Sequence, residues 1–262
     1  MADERFRFDD GASYERMMGR WSQLAGEIFL DWLAPPPGLH WIDVGCGNGA
    51  FTELLVRRTA PGAAQGVDPS EAQLSFARAR PGAQGAGFRR GDAQALPFPD
   101  DSFDAAVMAL VIFFVPEPAR GVAEMRRVVR PGGLVATYAW DLLGGGFPLQ
   151  AMHAEMSVLG VKPQQPPSPE ASRTEVMRDL WKGAGLDSVE TREITVQRTF
   201  ADFDEYWAIA LTSPGIAPKA AAMPVGDVEL LRSAVRARLP ADSAGRVTCS
   251  ARANAVKGRR PR

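Results

Sequence analysis

The sequence predicts a doubly wound α/β fold, and three observations carry that prediction. Short apolar runs alternate with amphipathic stretches of helical period, and most of the runs end at glycine, proline or aspartate. The first run, Leu39 to Val44, opens into a loop with glycine at alternate positions, Gly45, Gly47 and Gly49. Finally, 262 residues with 45% apolar content suit one hydrophobic core with an elaboration rather than two equal domains.

Taken in order, Tyr14 to Leu33 repeats apolar residues at steps of three and four, as one helix face requires, with Gly19 as a possible break. Pro35-Pro36-Pro37-Gly38 stops that helix and delivers the chain into the first strand. Ala50 to Arg58 reads as the next helix, Ala64 to Val67 as a strand closing at Asp68, and Ser70 to Ala79 as a helix with Ser70 as N-cap. Gly87 to Arg90 is a weaker strand. Phe103 to Phe113 reads as a buried strand, Glu117 to Val129 as an amphipathic helix, and Leu134 to Ala139 as the fifth strand. Helical stretches follow at Leu149 to Leu159, Glu175 to Ala184 and Phe203 to Ala210, among proline-rich loops. Ser188 to Phe200 and Arg246 to Ala255 read as two more strands able to pair antiparallel at the sheet edge. The expected organisation is an N-terminal helical cover (1–38), a cofactor-binding core (39–141), a cap with the last strands (142–255) and a disordered basic tail (256–262).

The glycine loop marks a cofactor seat, because residues without Cβ let a ligand lie against the backbone. Its spacing is Gly-x-Gly-x-Gly, whereas a dinucleotide fingerprint reads Gly-x-Gly-x-x-Gly. Asp68 suits a carboxylate bonding both hydroxyls of a ribose, which either a nicotinamide or another adenosyl cofactor would bring. Cys46 reads as a small packing residue and Asp100, Asp101 and Asp104 as a solvated turn, so no metal site is expected. His40 reads as structural.

Three further stretches narrow the choice: Gly91-Asp92-Ala93-Gln94-Ala95-Leu96-Pro97-Phe98, Asp101-Ser102-Phe103-Asp104, and Arg127-Val128-Val129-Arg130-Pro131-Gly132-Gly133. With the glycine loop, from about Tyr14 to Trp140, the chain resembles the class I S-adenosylmethionine-dependent methyltransferases. It is most similar to the small-molecule group that includes the ubiquinone and menaquinone biosynthesis enzymes. The resemblance implies a Rossmann-like seven-stranded sheet, mostly parallel with an antiparallel edge strand, N-terminal helices and a small helical cap. It also implies S-adenosylmethionine as cofactor. Asp43 and the backbone of Gly45, Cys46 and Gly47 would hold its amino acid part. Asp68 would take the ribose and Pro69 would pack on the adenine, whose amino group and ring nitrogen would meet Asp92 and the Ala93 amide. The backbone near Met108 and Ala109 would meet the methionyl ammonium, and Tyr14 and Arg20 the carboxylate.

The expected reaction is methyl transfer to a small-molecule acceptor, with His153, Asp141 or Tyr206 as candidate bases if one is needed. The alternatives are a nicotinamide-dependent oxidoreductase and a cofactor-binding protein without turnover. A formal charge of −1 argues against nucleic acid as partner. No apolar run is long enough to span a bilayer and no secretory h-region opens the sequence, so the expectation is a cytoplasmic monomer or homodimer without membrane association.

Overall fold

The computed structural model describes residues 15–162 and 164–262, and the side chains from residue 17 onward. Tyr14 therefore lies outside the described residues. After a π-helical turn at Glu15–Gly19 come α1 (Arg20–Leu33), β1 (His40–Val44), α2 (Ala50–Thr59), β2 (Ala63–Asp68), α3 (Glu71–Ala79) and β3 (Ala86–Arg90). Then follow β4 (Phe103–Ala109), α4 (Pro118–Val128), β5 (Val129–Trp140), α5 (Gln150–Val158), α6 (Thr174–Gly183), β6 (Asp187–Phe200), α7 (Phe203–Ala210), α8 (Ala217–Ala221), α9 (Val225–Arg238) and β7 (Val247–Arg259).

The strands form one seven-stranded sheet in the order β3-β2-β1-β4-β5-β7-β6. The first five in that order are parallel, and β7 runs antiparallel to both β5 and β6. The strand that opposes the others is thus the last in sequence, threaded between β5 and the edge strand β6. The order reverses between β1 and β4, which is where doubly wound sheets hold ligands.

Alternation along the strands loads both faces. Trp41, Ala105, Val107, Ala136 and Tyr138 belong to one buried cluster with Phe29 of α1. Ile42, Ala106, Met108, Val135 and Ala139 belong to another with Met125 of α4 and Trp181 of α6. The Trp181 indole N–H donates to the Val135 carbonyl at 2.9 Å, so the ring is buried without losing its hydrogen bond.

Three local expectations change. The fourth strand stops at Ala109 rather than Phe113, because Leu110 takes φ +60° and a 3-10 turn follows at Ile112–Phe114. Helix α9 falls in the cap, in a stretch to which the sequence reading assigns no element; only Leu231 and Val235 of it are buried, and so sparse an apolar face gives little periodicity to read. Most of the segment expected to be a disordered tail is sheet. Lys257, Gly258 and Arg259 pair with Ala136, Val135 and Leu134, and the Arg260 guanidinium donates to the carbonyls of Arg126, Arg127 and Val129 at the C-terminal end of α4. Basic residues there are bound because unpaired helix-end carbonyls attract cations.

Candidate active site

Three glycines shape the loop after β1, with φ of +76°, +51° and +78° at Gly45, Gly47 and Gly49. A Cβ on Gly45 would lie 2.5 Å from Val111 Cγ1, so that glycine lets the loops after β1 and β4 touch. Around Gly47 the nearest atom, Gln73 Oε1, is 4.0 Å from such a Cβ, which leaves open space there.

The loop amides are already committed. Those of Gly45 and Cys46 donate to the Val67 carbonyl at 2.7 and 3.0 Å, and that of Gly47 to Asp68 Oδ2 at 2.9 Å. What the backbone here can offer a ligand is therefore carbonyl oxygen, which suits an ammonium. Asp68 Oδ1 accepts from the Ser70 amide at 2.8 Å, so the carboxylate pins the loop to the start of α3 while keeping further lone pairs to offer.

Asp43 is almost fully buried at the end of β1. Its Oδ2 accepts from the Thr52 hydroxyl at 2.6 Å, and its Oδ1 has no partner among the described residues. Burial, with a smaller push from the Asp68 charge, raises its pKa to about 7, and burial raises that of Asp68 as well. Two carboxylates held in a dry corner favour a cationic ligand. The Cys46 thiol is pushed well above its ordinary range by burial and by both carboxylates, which leaves it a neutral packing group.

Asp92 and Pro69 are exposed at the adjacent strand ends. Asp92 Oδ1 accepts from the Gln94 amide at 2.8 Å and so shapes the turn that carries Ala93. Arg127 fixes the following loop, donating to the carbonyls of Leu96 and Phe98 and to Asp100 and Glu124. Its place in the Arg-x-x-Arg-Pro-Gly-Gly stretch was visible in the sequence; the distant carbonyls it gathers were not. The Met108 side chain lies in the core, while its carbonyl accepts the Thr137 hydroxyl; Ala109 is half-buried at the strand end.

Beyond Ala109 the chain enters a second feature, a cleft open at its mouth. Leu110, Phe113, Trp140 and Phe147 line it with Met17 and Met18 from the N-terminal cover, and His153, Gln164, Gln165 and Ser213 add polar atoms. Leu110 pays for its left-handed backbone with about 1–3 kcal/mol of strain, and its amide is held by the Tyr138 carbonyl at 2.8 Å. None of Leu110, Phe147, Gln164 or Ser213 belongs to a motif, and only the tertiary fold brings them together.

Of the three candidate bases, one faces this cleft. His153 stacks on Phe147 with ring centroids 4.9 Å apart, and burial, helped by Lys219, lowers its pKa to about 4. Asp141 does not line the cleft: Arg252 donates to its Oδ2 and the Gly144 amide to its Oδ1, so it braces the Gly144–Gly146 turn. Tyr206 is core, 1% exposed and edge-on to Phe200, with burial raising its pKa. Arg20 is exposed, 3.4 Å from Gln23, and lines neither the loop nor the cleft.

Residues 42–137 match the family described as methyltransferase domain. Over 130 residues the chain is 38% identical to the malonyl-[acyl-carrier protein] O-methyltransferase of Methylococcus capsulatus, a stretch covering 49% of this chain and 46% of that protein. Over 96 residues it is 42% identical to the 2-methyl-6-phytyl-1,4-hydroquinone methyltransferase 2 of Oryza sativa, covering 37% and 28% respectively. The chain thus spans less than half the length of these two relatives. Phosphoethanolamine N-methyltransferase 2 of Haemonchus contortus, in complex with phosphomonomethylethanolamine and S-adenosylhomocysteine, superposes with a TM-score of 0.61 at 17% identity. That superposition covers 97% of this chain and 58% of the other, a likeness of fold. The matched stretch runs from β1 to β5 and contains the glycine loop, Asp68, Asp92 and the end of β4, so residues 42–137 form a methyltransferase domain.

Proposed function

We propose that the protein transfers a methyl group from S-adenosylmethionine to a small organic acceptor, leaving S-adenosylhomocysteine. One observation supports this above the rest: the cofactor loop and the apolar cleft meet at consecutive residues, Val111 against Gly45 and Leu110 in the cleft wall. A dinucleotide oxidoreductase is not favoured, since the matched domain and the glycine spacing both point elsewhere.

When bound, the sulfonium supplies an already electrophilic methyl group, so the work of the chain is alignment and exclusion of water. Holding the reacting atoms at near-attack distance can remove several kcal/mol of barrier. In this reading Asp68 takes the ribose hydroxyls, Asp43 and the loop carbonyls face the ammonium, and Asp92 and Ala93 read the adenine beside Pro69. Tyr14 and Arg20 stay proposed partners of the methionyl carboxylate, and Arg20 would have to swing inward from the surface. Residues 1–38 and 142–255 supply acceptor walls, as Met17, Met18 and Ser213 do in the cleft, together with Leu110, Phe113 and Trp140 of the core. The bond to the acceptor forms as the carbon–sulfur bond breaks, its electron pair returns to sulfur, and the acceptor's proton leaves to solvent.

We place the activity in the cytoplasm, in a monomer or homodimer, without nucleic acid; the formal charge of −1 supports the last point. No helix among the described residues is long and apolar enough to cross a membrane. Calorimetry with S-adenosylmethionine and S-adenosylhomocysteine tests the cofactor roles. Binding should be lost in Asp68→Ala, and unchanged affinity would remove Asp68 from the site. An acceptor panel read out as S-adenosylhomocysteine tests turnover, and binding without product on every acceptor would favour a protein that holds the cofactor without using it.

A further inference from the structure

The cleft beside Leu110 carries information about the acceptor that no motif holds. Among the described residues lining it, none is aspartate, glutamate, lysine or arginine. Its walls are aromatic and aliphatic, with the rings of Phe113, Phe114, Trp140 and Phe147 among them. An ion moved here from water would lose its hydration without a counter-charge, at a cost of several kcal/mol. A flat ring system would gain stacking and burial instead.

The polar atoms are few and uncharged: the amides of Gln164 and Gln165, the Ser213 hydroxyl and the His153 imidazole. The His153 ring is fixed by its stack on Phe147, interplanar angle 21°, and no hydrogen bond to it is made by the described residues. A neutral imidazole has one nitrogen lone pair to offer, and a hydroxyl is its simplest partner. With its pKa lowered to about 4, the ring is neutral at pH 7 and presents that lone pair rather than a positive charge.

We propose that the cleft selects an uncharged, ring-bearing hydroxyl compound as the methyl acceptor, seated between the aromatic walls with its hydroxyl donating to His153. The proposal rests on the methyl-transfer reading and deepens it. Among the described lining residues none offers a counter-charge to a carboxylate, a phosphate or an ammonium compound, the Lys219 charge reaching His153 from outside that lining.

Calorimetry on the full chain saturated with S-adenosylhomocysteine tests this, with 2-naphthol, 2-naphthoate and 2-naphthylmethylammonium as probes of matched shape. Expected is 2-naphthol binding at least tenfold tighter than either ion. Ser213→Phe, which fills the cleft, should reduce 2-naphthol binding at least tenfold while S-adenosylhomocysteine binding stays unchanged. Should that variant fail to fold, the exposed Gln165 provides a second test: Gln165→Arg should raise 2-naphthoate affinity at least fivefold. His153→Phe keeps the stack and removes the acceptor nitrogen, so it should weaken 2-naphthol severalfold and leave naphthalene binding unaltered. Equal or tighter binding of an ion to the native protein, no binding of 2-naphthol to a chain that holds S-adenosylhomocysteine, or an unaltered 2-naphthol affinity in His153→Phe would overturn the proposal. Failure to hold S-adenosylhomocysteine at all would instead overturn the methyl-transfer reading beneath it.

Discussion

Replacing Asp43 by asparagine should make the empty protein more stable at alkaline pH and a poorer cofactor binder. The Asp43 carboxyl ionises at an ordinary value of 3.8 in the unfolded chain and at about 7 when folded, because burial disfavours its charge. Between those values the unfolded chain has released a proton that the folded protein still holds. Stability therefore falls as pH rises from about 4 to about 7 and is level beyond. At 1.36 kcal/mol for each pH step across the gap, the ceiling on the loss is about 4 kcal/mol. Asparagine cannot ionise, and its carbonyl can still accept the Thr52 hydroxyl that Asp43 Oδ2 now accepts at 2.6 Å. Urea unfolding at 25 °C, at pH 4, 5, 6, 7 and 8, measures the effect. Asp43→Asn should gain on wild type by about 2–4 kcal/mol between pH 4 and pH 8. Parallel stability curves for the two proteins across that range would refute a carboxyl held protonated by burial. The same substitution should weaken S-adenosylmethionine more at pH 8 than at pH 6, since only the ionised carboxylate attracts a cation. Stability given up to keep a charge where a ligand needs it is a common trade at functional sites.

Other consequences can be checked more simply. Gly45→Ala must hold an alanine at φ +76° with its Cβ 2.5 Å from Val111, so a loss of about 2–4 kcal/mol in urea and weaker cofactor binding by calorimetry are expected. A wild-type stability would mean that the loop relaxes freely. Arg127→Ala removes the donor that gathers the Leu96 and Phe98 carbonyls and leaves Glu124 without its arginine. About 2–3 kcal/mol should be lost, with faster amide exchange confined to residues 94–101; unchanged exchange there would argue against the clamp. Truncation after Ala255 deletes the pairs of Lys257, Gly258 and Arg259 with β5 and the Arg260 contacts, and should lower Tm by more than 10 °C or abolish soluble expression. Removing only Pro261 and Arg262, which lie beyond β7, should change Tm by less than 2 °C.

The sequence determined the parts of this protein that depend on local chemistry. Alternating apolar runs of strand length with helices between them leave little choice but a doubly wound sheet. Gly45, Gly47 and Gly49 are there because the backbone turns through positive φ at each, a requirement visible in residue type. Asp43, Asp68 and Asp92 could be placed by counting to strand ends, and the structure sets the first two within electrostatic reach of each other. Contacts between residues far apart in the chain were invisible at that level. Basic residues at the C-terminus read as a loose tail because nothing local says that Arg260 will cap α4 or that Lys257 will pair with Ala136. Asp141 and Tyr206 looked available as bases until Arg252, 111 residues away, claimed the first and Phe200 helped bury the second. The cleft beyond Ala109 is the extreme case, assembled from Met17, Leu110, Trp140, His153 and Ser213. That the described lining residues carry no charge is a property of the assembled space, so only the tertiary structure could decide what the glycine loop opens onto.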